Sequence, residues 1–222
     1  MKNICLIFTG AIRESLKDIR RNIKDIKDCF SDHNIDVIFI TWKSNDKISY
    51  DKNELKKQID GIVDFFIVQD MGNISDYPRT GDNNSTIQFF PIIDAAKFLR
   101  ENNLVYDNVV RLRHDNHFIM NNIDSYLGKN FYVPPCYHLP HCLYDKNVTS
   151  SHVFITTYEN FLQYENYQSY IHTNSTKFTC TENLDSKLMS NISDIEFIDD
   201  KDIVKFKNRN FPGRGFVARE WK

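Results

Sequence analysis

The run Val109-Val110-Arg111-Leu112-Arg113-His114-Asp115-Asn116-His117-Phe118 concentrates the residue types that could do chemistry. Apolar Val110 and Leu112 alternate with Arg111 and Arg113, the period of a strand, so both arginines share one side of it. Guanidinium groups on a central strand are costly to bury unless carboxylates or phosphates meet them. Asp115 and His117 emerge at the strand's end. A hard divalent cation, Mn²⁺ or Mg²⁺, held beside a diphosphate needs only one or two protein ligands, and Asp115 offers the oxygen. The plainer alternative is an edge strand with solvated arginines followed by a polar turn.

A second candidate lies near the N-terminus, where Phe8-Thr9-Gly10-Ala11-Ile12-Arg13 joins an apolar run to a helical pattern. A helix start offers free N–H groups, and a glycine lets backbone approach a ligand. Arg13 in a first helical turn opposes the helix dipole unless an anion is nearby. Neither a Rossmann glycine fingerprint nor a phosphate-binding Gly-Lys-Ser/Thr loop is present, and an ordinary tight turn pivoting on Gly10 also satisfies the pattern. Toward the other end, Lys205 to Phe216 mixes cations, aromatics and two glycines, with Arg214 among them. Its glycines suit a mobile segment and its cations suit a diphosphate, and a plain solvated tail satisfies the pattern equally. Cys136-Tyr137-His138-Leu139-Pro140-His141-Cys142 packs four possible metal ligands into seven residues, tighter than the separated pairs of an ordinary zinc site.

These residues need elements to position them. Ile4 to Phe8 is a buried strand. Ile12, Leu16, Ile19, Ile23, Ile26 and Phe30 then recur at helical spacing. Asp36 to Thr41 gives a second strand with Trp42 just past its end, and Asn53 to Ile62 gives a short helix. Strand 64–68, a polar loop 70–85 and a helix 86–100 interrupted near Pro91 follow, then strands 108–113 and 131–133. Later helices fall at 158–167 and 182–190, with Phe197-Ile198 as a last strand and no periodicity from Lys205 onward. Alternating strands and helices specify an α/β fold, a mostly parallel sheet with helices on both faces. Ligands of such sheets bind outside the carboxyl ends of the strands. That rule selects Thr9, Gly10 and Arg13; Thr41 and Trp42; and Arg113, His114 and Asp115.

Composition bounds the function. Lys plus Arg number 28 against 30 Asp plus Glu, a net charge of −2, so a general nucleic-acid coat is excluded. Aromatic residues at 14% exclude an acidic disordered chain. No 20-residue apolar span occurs, so no transmembrane segment is expected. The opening apolar run is too short for a signal-peptide core, and the five cysteines are odd in number without a CxxC, which points to reduced thiols and a cytoplasmic location.

A strand ending in Arg-x-Asp resembles the DxD-type turn of GT-A (Rossmann-like) glycosyltransferases. More narrowly, the chain resembles the bacterial WavE-like lipopolysaccharide-synthesis family. The shared blocks are Ile-Phe-Thr-Gly-Ala-Ile-Arg (7–13), Ile-Thr-Trp (40–42), Arg-Leu-Arg-His-Asp (111–115) and Thr-Glu-Asn-Leu-Asp-Ser-Lys-Leu (181–188). Asp145 ahead of the apolar segment Val153 to Tyr164 also fits. Arg113 stands where a DxD has its first Asp, and Thr181 where the family has Pro.

The resemblance implies a hexosyl- or pentosyltransferase of polysaccharide biosynthesis, with a single GT-A-like domain over 1–222. A half spanning 1–120 would hold a nucleotide-sugar donor, and 121–222 would face a glycan or lipid-linked acceptor. Phe8, Thr9, Gly10, Arg13, Trp42, Arg111, Arg113 and Arg214 are the implied donor-binding residues. Asp115, with His117, would meet the diphosphate through a metal. Asp145 or Glu182 would serve as the base. The other readings are a non-catalytic nucleotide-sugar or carbohydrate-binding module, and a nucleotidyltransferase, which would want a glycine-rich basic loop after its first strand.

Overall fold

The computed structural model describes residues 1–10, 12, 16–43, 52–72, 74–81, 86–114, 116–135, 144–149 and 152–208. The first strand, β1 (Asn3–Thr9), is apolar on both sides because both of its sides are covered. Ile4, Leu6 and Phe8 face one core, while Cys5 and Ile7 face the other. The helix α1 (Leu16–Cys29) turns Ile19, Ile23 and Ile26 onto the first core, and β2 (Asn34–Lys43) then lies parallel to β1. The short α2 (Lys52–Ile59) adds Leu55 and Ile59 to that same core, and β3 (Phe65–Asp70) pairs parallel to β2.

The opposite face is covered by α3 (Phe90–Glu101), with Pro91 in its first turn, where the missing N–H costs nothing. A 3₁₀ turn over Thr86–Phe89 leads into it, so the helical pattern from residue 86 is two geometries in series. The next strand, β4 (Asn108–Arg113), inserts on the free side of β1. A short strand β5 (Asn116–Met120) leaves the main sheet, and β6 (Phe131–Val133) returns to it. Next come β7 (Val153–Thr157), α4 (Tyr158–Leu162), α5 (Gln168–Asn174), α6 (Thr181–Ile192), β8 (Ile195–Phe197) and β9 (Ile203–Asn208).

The main sheet has seven strands in the order β3-β2-β1-β4-β7-β6-β8. The four from β3 to β4 are parallel. Only β7 is reversed, pairing antiparallel with both β4 and β6, and β8 is parallel to β6. Leu184, Leu188 and Met189 of α6 join α3, α4 and α5 on the second face, whereas α1 and α2 hold the first. Helices thus cover both faces, as the alternation of elements predicts.

Two differences from the sequence reading concern the ends of elements. The stretch from Lys205, where no periodicity was expected, begins inside a strand: β9 pairs antiparallel with β5 from Met120↔Ile203 to Asn116↔Asn208. Trp42 is within β2 instead of beyond its end. No helix among the described residues is long and apolar enough to cross a membrane.

Candidate active site at the carboxyl edge of the sheet

The carboxyl ends of β1, β2 and β4 are tied into one unit by short-range contacts. Thr9 is in register with Ile40 on one side and Arg113 on the other. Beyond it, the Gly10 N–H donates to the Ile40 carbonyl (3.3 Å), and the Thr41 hydroxyl donates to the Gly10 carbonyl (3.0 Å). The His114 N–H donates to the Thr9 carbonyl at 3.3 Å. Gly10 has φ +136°, a conformation side chains rarely adopt, while a Cβ there would meet nothing closer than 3.9 Å. Glycine is therefore required by backbone shape and not by crowding.

Arg111 and Arg113 do share a side of β4, yet they have different surroundings. Arg111 is 1% exposed, and its Nε donates to the Thr9 hydroxyl at 3.0 Å. On its far side lies Asp185 of α6, fully buried, whose Oδ1 accepts from the Tyr164 hydroxyl at 3.2 Å. Its Oδ2 has no hydrogen-bond partner among the described residues. Burial pushes the Asp185 carboxyl up to about 7 against the opposing pull of the Arg111 guanidinium and the Tyr164 hydrogen bond. The burial that raises Asp185 also raises the Tyr164 phenol well above its ordinary range, with Asp185 adding to it. Arg113, by contrast, is half-buried at the strand's mouth, its Nη1 2.7 Å from His152 Nδ1, while its N–H donates to the His152 carbonyl. His114 is buried and its ring stacks on Phe39 at 4.1 Å between centroids.

Asp145 and Glu182 are brought to this same edge. His152, just before β7, is hydrogen-bonded at the carboxyl end of β4, so the loop 144–149 that precedes it belongs to that end. The C-terminus of α6 meets the opposite edge, where the Phe131 N–H at the start of β6 donates to the Asp194 carbonyl. The first turn of α6, with Glu182, therefore projects toward the carboxyl edge. Three contacts fasten loop to helix: Asn183 Nδ2 to the Asn147 carbonyl (2.8 Å), the Thr149 N–H to Ser186 Oγ (2.6 Å), and Ser186 Oγ to Thr149 Oγ1 (2.9 Å). Asp145 Oδ1 accepts from the Asn147 N–H and Nδ2, both at 2.9 Å, which leaves its other oxygen for a further partner. Glu182 Oε2 accepts from the Thr181 hydroxyl at 3.1 Å.

The remaining expected site residues are dispersed. Phe8 is 1% exposed and packs in the α1-side core, so its side chain is structural here. Trp42 is half-buried against the α3-side core. His117 is in β5, its Nε2 2.9 Å from Asp25 Oδ2 of α1, on the sheet face opposite Arg111. Its imidazole is shifted down, by burial first and by Lys205 second, with Asp25 opposing. Arg13, Asp115, Arg214 and the Cys136–Cys142 cluster lie outside the described residues. Among the described residues no group of three His, Cys, Asp or Glu side chains is placed to hold a metal ion, and a cation stands at Arg113 where the turn would need an anion.

The sequence reading passed over Asp185, His152 and Tyr164. Asp185 carried a usable signal: an acidic residue inside the Leu184/Leu188 stripe of an amphipathic helix must face the core. His152 and Tyr164 carried none, because only the sheet order brings them to β4.

No known protein-family model matches the chain, and comparison with curated proteins finds no match. Solved structures do match. The galactosyltransferase LgtC, in complex with donor and acceptor sugar analogues, is similar with a TM-score of 0.55 at 9% identity, over 89% of this chain and 74% of LgtC. An active-site mutant of LgtC gives 0.56 at 8%, over 89% and 73%. The mannosyltransferase Ktr4p from S. cerevisiae gives 0.51 at 14%, over 94% of this chain and 70% of Ktr4p. With its single reversed strand in an otherwise parallel sheet and helices on both faces, the chain has the GT-A-like fold of these glycosyltransferases.

Proposed function

We propose that the protein is a glycosyltransferase that takes a sugar from a nucleotide-sugar donor and passes it to a glycan acceptor. The observation that carries this reading is the placement of Arg113, half-buried at the carboxyl edge of β4 beside the Gly10 turn, in a GT-A-like sheet. A cation at that point of the fold suits the diphosphate of a donor. The four sequence blocks that resemble WavE-like proteins include the ends of β1, β2 and β4 and the first half of α6, and in this reading the product is a surface polysaccharide.

In this reading the residues up to 120 hold the donor and those from 121 face the acceptor. The bond between the anomeric carbon and the diphosphate oxygen breaks, and the charge gathering on the leaving nucleoside diphosphate is stabilised by Arg113. Arg111 is too deeply buried to touch the donor. It acts through Thr9, whose hydroxyl it fixes at the start of the Gly10 turn. The acceptor hydroxyl forms the new bond to the anomeric carbon. For transfer with inversion its proton passes to a carboxylate, for which Asp145 and Glu182 are the candidates at that edge. Asp115 and Arg214 remain candidates for the diphosphate side.

Thermal unfolding against a panel of nucleotides and nucleotide sugars, with and without Mn²⁺, tests the donor site. A ligand at about 100 times its Kd adds about 2.7 kcal/mol, on the order of 5–10 °C for a domain of this size. One nucleoside class should give that shift, and Arg113→Gln should abolish it without changing the melting temperature of the free protein by more than a few degrees. Dependence of the shift on Mn²⁺, lost in Asp115→Ala, would assign a metal to the turn. No shift with any nucleotide would overturn the donor reading, and binding without sugar transfer or donor hydrolysis would leave a binding module.

A further inference from the structure

A cleft of about 360 Å³ opens between loop 144–149, the outer side of α6 and residues 177–179. Lys146, Lys177 and Lys187 all line it, together with Asn147, Phe178 and Asn183. Three of its nine described lining residues are lysines, whereas Lys and Arg together make up 28 of 222 residues in a chain of net charge −2. Among the described residues no carboxylate lines the cleft: Asp145 and Glu182 border it in sequence without contributing to its wall.

The three lysines make no ion pair with a described residue, and Lys177 donates instead to the neutral Asn174 Oδ1 at 2.9 Å. Lysines elsewhere do pair with carboxylates, Lys97 with Asp94 and Lys201 with Asp199. Like charges gathered around one concavity raise its positive potential and favour an anion there.

The walls are fixed. The Asn183–Asn147 and Ser186–Thr149 hydrogen bonds hold the loop to the helix, and the Gly81 N–H donates to the Phe178 carbonyl at 2.7 Å behind the third wall. Phe178 adds a partly exposed ring on which a sugar face can lie, and the Asn147 and Asn183 amides keep hydrogen-bonding capacity beyond the contacts just described.

We propose that this cleft is the acceptor subsite and that its acceptor is an anionic sugar unit, one carrying a phosphate or a carboxylate. The proposal rests on the glycosyltransferase reading, because the cleft adjoins Asp145 and Glu182 at the edge where transfer would occur. The lysines bind the oxyanion, Phe178 and the amides hold the ring, and the hydroxyl to be glycosylated is turned toward the carboxylates.

Calorimetric titration of the full chain with four probes tests this: a hexose 6-phosphate, methyl β-glucuronide, methyl β-glucoside and inorganic phosphate. At least one of the two anionic sugars should bind about tenfold or more tightly than the neutral glycoside and more tightly than inorganic phosphate. Which of the two wins tells a phosphate-bearing acceptor from a uronic one. Lys146→Gln and Lys187→Gln should each weaken the anionic sugar about three- to tenfold, and raised salt should weaken it further. Both lysines are exposed, so the variants should melt with the wild type.

Equal binding of the neutral glycoside, inorganic phosphate as tight as the anionic sugars, or lysine variants without effect would overturn the proposal. Donor stabilisation of the wild-type chain separates the two levels. Nucleotide-sugar binding without anionic-sugar binding sinks this inference alone. Lysine-dependent anionic-sugar binding without any nucleotide binding sinks the transferase reading, and the acceptor role with it.

Discussion

Arg111 and Asp185 show how one buried pair can be required by a site it does not touch. The guanidinium holds the Thr9 hydroxyl, and the carboxylate balances the guanidinium from α6. The Asp185 carboxyl sits at about 7 in the folded chain against 3.8 as its ordinary value. Between those values the folded state carries a proton that the unfolded state has lost, so stability falls as pH rises from about 4 to about 7 and then levels off. The slope is about 1.4 kcal/mol per pH unit at most. Urea denaturation at pH 5, 6, 7 and 8 should show it in the wild type, and Asp185→Asn, which cannot ionise, should flatten it. An unchanged slope in the Asn variant would show that another group titrates. Removing the other partner leaves a buried acid without its cation. With that pull gone the Asp185 carboxyl stays protonated, so Arg111→Met loses the Thr9 hydrogen bond and the packing of the guanidinium. It should cost about 1–3 kcal/mol in the same assay at neutral pH, and Arg113→Met, half-buried at the strand's mouth, less than about 1. Equal losses would mean that the two arginines do not divide the labour as described.

At the scale of the element, the turn after β1 decides whether the strand ends can act together. Gly10 takes a φ of +136°, and both its N–H and its carbonyl are used to bind β2. Gly10→Ala should cost about 1–3 kcal/mol through backbone strain, and nucleotide-induced stabilisation should fall with it. A melting temperature equal to the wild type's would show that the turn relaxes freely. The strand β5 is held differently. Phe118 and Met120 are 3% exposed and pack with Ile203 and with α1-side residues, so the small sheet is anchored through its apolar side. Phe118→Ala should cost about 3–5 kcal/mol, read by chemical denaturation, as expected for a buried aromatic. A loss below about 1 kcal/mol would show that β5 adds little to the core.

At the scale of the whole molecule, charge is sorted around the sheet although the total is only −2. Asp25, Asp28, Asp32 and Asp124 line a groove beside α1 and β5, whereas the lysine cleft lies beside α6, on the other face. The chain also closes on itself late: β9 comes more than 80 residues after the strand it pairs with. A chain ended at Asp202 lacks β9 and leaves Phe118 and Met120 without the strand that pairs with β5. It should melt at least 10 °C below the full chain or fail to remain soluble, whereas a chain ended at Asn208 keeps every strand described here. Equal melting temperatures for the two truncations would show that β5 does not need β9.

Local periodicity determined much of this protein. The strands β1, β2, β4 and β6 and the amphipathic α1 and α6 were legible because their apolar spacing repeats within a few residues. The rule that ligands bind at strand ends then pointed to Thr9, Gly10, Thr41 and Arg113, which the structure does bring together. Tertiary structure alone decided the rest. Strand direction leaves no trace in an apolar run, so the reversal of β7 could not be read from its residues. The pairing of β5 with β9 depends on hydrogen bonds between backbones, which no side-chain pattern in Asn116 to Met120 announces. Asp185 and Arg111 are 74 positions apart, and each alone is a charged residue with an unknown counterpart. Only packing α6 onto β4 removes both from water at once and makes their charges answer each other.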